Sequence, residues 1–116
     1  MKYTFGKTLA AQRLEILLDK NPIARRKISA LLSKFSDKLL LVTGAKDPDT
    51  VRLCMDLLRD NTLKGLRSKK NLSSDVVSYA ENVIKSRHRA FRQEFDYIVP
   101  FLKALDAKKA NSDNAS

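Results

Sequence analysis

The chain has one cysteine, one histidine, no tryptophan, three glycines and three prolines. With Cys54 alone, no intramolecular disulfide forms and a cysteine-based zinc site is excluded. So few glycines and prolines argue against a collagen-like or Gly/Pro-rich disordered chain. The longest apolar run is four residues, far short of the roughly 20 that cross a bilayer. Met1 to Thr8 holds no apolar leader core, so the expectation is an intracellular, cytoplasmic protein without a membrane segment. Acidic residues are also scarce. Thirteen Asp and Glu stand against 23 Lys and Arg, a net charge of +10.

What is present is helical spacing, with no alternating run flanked by hairpin turns. The length, 116 residues, suits one domain that buries roughly two-thirds of its unfolded surface without staples. A first helix is expected from about Thr8 to Asp19, with Leu9, Ala10, Leu14, Leu17 and Leu18 on one stripe. Asn21-Pro22 reads as a cap followed by proline at the first helical position, where its missing N–H costs nothing. Ile28, Leu31, Leu32, Phe35, Leu39 and Val42 then step by three or four, and Gly44 is a left-handed stop. Asp47-Pro48 repeats the start signal ahead of Val51, Cys54, Met55 and Leu58.

Asn61 to Asn71, with Gly65 and four basic residues, reads as a loop holding a short helix. Leu72-Ser73-Ser74-Asp75 opens the last helix, with a serine cap and Leu72 as hydrophobic staple. Val77, Ile84, Phe91, Ile98 and Leu105 recur every seven residues, widened by Ala80, Phe95 and Leu102, the period of long helix pairing. Pro100 is expected to kink or break that helix. Lys108 to Ser116 is expected to be disordered. The fold class is therefore all-α: one domain over 1–107 in a small bundle of four to five helices, with a long, Pro-kinked C-terminal helix.

Residues for catalysis are sparse. His88 sits between Arg87 and Arg89 with no carboxylate one turn away, and reads as a surface histidine in a basic stripe. Cys54 lies on an apolar stripe and reads as buried and inert. Asp47 and Asp49 flank a proline as first-turn capping groups. Asp56 and Asp60, with Arg52 and Arg59 nearby, read as exposed salt-bridge partners. Gly6-Lys7-Thr8 lacks the preceding glycine and strand of a phosphate loop. The expectation is a non-enzymatic protein with no cofactor, no metal and no small-molecule substrate.

The charge is clustered. Lys64, Arg67, Lys69, Lys70, Lys85, Arg87, Arg89 and Arg92 face only Asp75 and Glu81 between positions 64 and 92. A second basic patch comprises Arg25, Arg26, Lys27, Lys34 and Lys38. Each cation that meets a phosphate releases condensed counterions, the main source of nonspecific nucleic-acid affinity. Leu63 to Asn82 fits a helix-turn-helix frame in part. Leu66, Leu72, Val77 and Ala80 take core positions and Asn71 takes the turn. Arg67 and Lys70 fall where small or aliphatic residues belong, so a basic loop leading into a capped helix is the better reading. Phe35, Phe91 and Phe95 read as core, Tyr3 and Phe5 as packing down the N-terminus, and Tyr79 and Tyr97 as the stacking candidates.

Two functional readings follow. One is nucleic-acid binding by phosphate contacts through the first basic set, DNA ahead of RNA. The alternative is a protein-interaction or assembly module, either docking on an acidic partner or forming a homo-oligomer through the Val77–Leu105 helix face.

Overall fold

The computed structural model describes residues 5–44 and 47–115, with side chains through 105. The described residues form four helices and no strand: α1 (Leu9–Asp19), α2 (Pro22–Val42), α3 (Pro48–Ser68) and α4 (Ser74–Ala115). No helix among them is long and apolar enough to cross a membrane.

Each helix starts where a short polar side chain takes up an orphan backbone N–H. Thr8 Oγ1 accepts from the Ala11 amide at 3.1 Å, and Asn21 Oδ1 from that of Ala24 at 3.2 Å with Pro22 in the first turn. Asp47 Oδ2 accepts from the Thr50 amide at 3.1 Å and from its hydroxyl at 2.7 Å. Those bonds hold the Asp47 carboxyl below its ordinary pKa. Ser73 Oγ accepts from the Val76 amide at 3.3 Å. Between α3 and α4, Asn71 sits at φ 70°, in the left-handed region that Asn tolerates better than most residues.

Helix ends depart from the sequence reading in several places. The segment read as a loop, 61–68, is the continuation of α3. Leu63 and Leu66 are buried and extend the stripe of Val51 and Met55, and that burial outweighs the roughly 1 kcal/mol cost of Gly65 inside a helix. Gly44 shows no left-handed φ. Instead α2 closes on Thr43, whose hydroxyl donates to the Leu40 carbonyl at 2.6 Å. At Pro100, where one backbone bond is lost, the helix does not break: α4 is the expected long C-terminal helix with the proline inside it. The backbone also stays helical to Ala115, past the expected boundary at 107. Extension of an existing helix needs no new nucleus, and Lys108 to Ala115 contains no glycine or proline.

Burial along α4 follows Val76, Ala80, Val83, Ile84, His88, Phe95 and Val99. A strict seven-residue stripe drifts about 20° per heptad around a straight helix. Ile84 is fully buried, while Ile98 and Leu105 are 42% and 62% exposed. Helix α4 packs against all three other helices, whereas α1 and α3 do not touch. On one side of the bundle α1, α4 and α3 thus lie side by side with α4 in the middle. At 1.5 Å per residue a 42-residue helix measures about 63 Å, and it sets the long axis of the molecule, 63 Å.

A candidate nucleic-acid interface on the crest of α4

Because α4 lies between α1 and α3, its outward row is bordered by two clefts. The α3/α4 cleft, about 520 Å³, takes Arg59, Asp60 and Leu63 from α3 and Lys85, His88, Arg89, Arg92 and Gln93 from α4. The α1/α4 cleft, about 410 Å³, takes Leu9, Ala10 and Arg13 from α1 and Tyr79, Asn82, Lys85, Ser86 and Arg89 from α4. Lys85 and Arg89 wall both clefts. Both are exposed, and among the described residues neither makes a salt bridge. With Asn82 and Gln93, also exposed, they form a crest at three- and four-residue spacing, about 16 Å long. No acid stands on it.

The floor of the α3/α4 cleft corrects the reading of His88. The histidine is 8% exposed, and its Nε2 lies 2.7 Å from Asp56 Oδ1. Arg92 Nη1 donates to the same oxygen at 3.1 Å. Burial pushes the Asp56 carboxyl up, but the His88 hydrogen bond and the Arg92 charge outweigh it and hold the pKa below the ordinary value. An ionised carboxylate only accepts, so Nε2 carries the proton in this pair. The orienting acid comes from another helix, which is why a search one turn along α4 misses it. Asp56 is thus no exposed partner of Arg52, which bonds Asp49 and Asp96 instead. Arg59 pairs with Asp60 as read. Cys54 is half-buried rather than buried. Among the described residues no group of three or more His, Cys, Asp or Glu is placed to hold a metal.

No family model, curated protein or solved structure matches this chain. Its chemistry is therefore read from its own geometry.

The eight basic residues of the 64–92 segment separate into three kinds. Arg87 turns inward. Its guanidinium donates to the Phe5 carbonyl at 3.1 Å, the Leu32 carbonyl at 3.3 Å and Ser36 Oγ at 3.0 Å, and burial lowers its pKa. It ties α4 to α2 and to the N-terminal segment, so it does not stand among the solvent-facing cations. Arg67 and Arg92 are half neutralised. Arg67 donates to Glu81 at 2.8 Å, which raises its own pKa and lowers that of Glu81, and Arg92 serves Asp56. Lys64, Lys69, Lys70, Lys85 and Arg89 make no salt bridge among the described residues. Of these, only Lys85 and Arg89 border the clefts.

Two cations that the sequence reading left out complete the site. Arg59 is the outer wall of the α3/α4 cleft. Arg13 is the outer wall of the α1/α4 cleft, where it donates to the Tyr79 hydroxyl at 3.3 Å and lies 6.0 Å from the ring centroid. Tyr79 is thereby occupied and half-buried, while Tyr97 is 73% exposed but lies far along α4. Phe5 is buried as expected; Tyr3 lies outside the described residues. In the second basic patch Arg25 pairs with Glu15 and lies over the Phe5 ring. Arg26, Lys27, Lys34 and Lys38 are exposed. Lys34 and Lys38 wall a smaller cleft between α2 and α3. Helix α3 stands between that cleft and the crest, so the two basic sets share no cleft.

Proposed function

We propose that this protein binds nucleic acid without catalysis, laying backbone phosphates along the α4 crest. The observation that carries the reading is that Lys85 and Arg89, exposed and without an ion pair among the described residues, wall two clefts whose far sides carry Arg13 and the Arg59–Asp60 pair. A polyanion on the crest meets Arg13 on one side and Arg59, shared with Asp60, on the other, and Asn82 and Gln93 supply further donors of the kind that position phosphates. Helices α1 and α3 flank the crest, so α4 does not enter a major groove about 12 Å wide as an isolated helix. Contacts are then to phosphate and sugar, with weak dependence on base sequence and with duplex DNA ahead of RNA. A cytoplasmic setting belongs to the same proposal.

The test is fluorescence anisotropy with labelled duplex DNA and RNA hairpins at low salt. Duplexes of unrelated sequence should bind alike. A Lys85→Glu/Arg89→Glu variant should lose that binding, and Lys34→Glu/Lys38→Glu should retain most of it. Absence of binding to every nucleic acid at low salt would overturn the proposal and leave an acidic protein surface as the ligand of the crest. Loss of binding in the α2 variant alone would move the site to the second patch.

A further inference from the structure

The apolar surface of α4 outruns the bundle. The ion pair between Arg52 and Asp96 sets the second turn of α3 level with Asp96, so only the first turn of α3 lies beyond that level. Beyond that level Val99 is still buried, but Tyr97, Ile98, Phe101, Leu102 and Leu105 are 73, 42, 61, 40 and 62% exposed. The nine residues 97–105 carry a single charge, Lys103, in a chain that is 31% charged. Tyr97 and Phe101 touch each other, ring centroids 6.0 Å apart, yet both remain open to water.

We propose that this overhang pairs, antiparallel, with the same segment of a second copy of the chain. The inference is independent of the nucleic-acid reading and holds or fails without it. Area is the first argument. At about 200 Å² for each fully exposed side chain of this size, the five exposed fractions amount to roughly 550 Å² per copy. Two copies would then bury roughly 1,100 Å², close to the approximately 1,200 Å² at which specific interfaces begin.

Charge decides the orientation. A parallel pair sets two bodies of net charge +10 side by side. An antiparallel pair sends them to opposite ends of the joined helices, separated by more than the Debye length of about 8 Å at physiological salt. The spacing suits a seam as well: Ile98, Phe101, Leu102 and Leu105 follow the three-and-four steps of paired helices. In a two-fold arrangement Phe101 lies nearest the axis, and Tyr97 of one copy faces Leu105 of the other.

Sedimentation equilibrium of the full chain tests the idea. The expected mass is twice 13.1 kDa. Phe101→Glu and Leu105→Glu should each give the monomer with unchanged helical circular dichroism, since both side chains are exposed. Ile16→Glu, on the exposed face of α1, should stay dimeric. On a Cys54→Ser background, Tyr97→Cys mixed with Leu105→Cys should form a disulfide-linked dimer, and Leu105→Cys alone should not. A monomer at every concentration would overturn the proposal, as would a dimer unaffected by both glutamates. Efficient cross-linking of Leu105→Cys to itself would overturn the antiparallel arrangement.

Discussion

Arg87 belongs to the middle of the basic segment in sequence and to the interior in space, so replacing it separates the two. Arg87→Ala removes three hydrogen bonds from one guanidinium, to the Phe5 and Leu32 carbonyls and the Ser36 hydroxyl. Hydrogen bonds from a charged donor are worth about 1.5–3 kcal/mol each when made. Part of that is returned, because a guanidinium half withdrawn from water no longer has to be desolvated. The carbonyls left behind lose their partner, and truncation opens a void. The net expectation is a loss of about 2–4 kcal/mol of stability. At roughly 4 °C per kcal/mol for a domain of this size, Tm falls by about 8–16 °C. Thermal melts followed by circular dichroism measure it, with duplex-DNA anisotropy recorded below the transition, where affinity should hold. Arg89→Ala is the mirror case: an exposed cation with no ion pair among the described residues, whose loss leaves stability within about 0.5 kcal/mol but weakens binding. If Arg87→Ala kept its Tm and lost DNA affinity, the inward placement of this side chain would be refuted.

Three further outcomes follow from the same geometry. Gly65→Ala should stabilise the fold by about 0.5–1 kcal/mol, because a Cβ there meets nothing within 4 Å; a lower urea midpoint would contradict the continuity of α3. Asp56→Ala should destabilise by about 2 kcal/mol, since it strips the acceptor from buried His88 and from Arg92, and Asp56→Asn should do less damage; equal stability of all three proteins would remove the network. Asp47, Asp56 and Glu81 all have pKa values held down in the folded state. Their contribution is therefore fully present above their ordinary values, 3.8 for Asp and 4.5 for Glu, and is lost as pH falls through the depressed ones. Urea midpoints should decline below that range, less steeply in Glu81→Gln, and an unchanged acid slope in that variant would count against the Arg67–Glu81 pair.

Helix starts are legible in this sequence because they are chemical. Asn21-Pro22 and Asp47-Pro48 each announce an unsatisfied backbone donor and cap where expected; of the two serines offered for the last helix Ser73 caps, and Thr8, read as the first helical residue, is the cap of α1. Ends are harder, because they depend on burial. Gly65 and its basic neighbours suggest a loop, but Leu63 and Leu66 had a core to enter. The seven-residue stripe misleads for a geometric reason. A helix with 3.6 residues per turn drifts from such a stripe by about 20° per heptad, and Ile98 and Leu105 also lie where α4 runs past its neighbours, so the period alone does not tell which of its residues are buried.

The site was half visible. Lys85, Arg89 and Arg92 share a ridge by spacing alone. Which helices stand beside that ridge is a tertiary fact, so Arg13 and Arg59 escaped notice, as did the pairing of His88 with Asp56 across α3 and α4. Arg87 did leave a trace in the sequence. It interrupts the apolar face one turn after Ile84, and a charge on a buried face signals internal hydrogen bonds as readily as a ligand.

In the proposed binding mode Lys85 and Arg89 neutralise nucleic-acid phosphates. The most direct test is the salt dependence of duplex-DNA affinity, wild type against Lys85→Gln/Arg89→Gln, between about 50 and 200 mM salt. Each lost phosphate contact lowers the slope of log K against log salt by about 0.9 for B-DNA, so the double variant should flatten it by about 2. An unchanged slope, or a slope near zero in the wild type, would contradict the account.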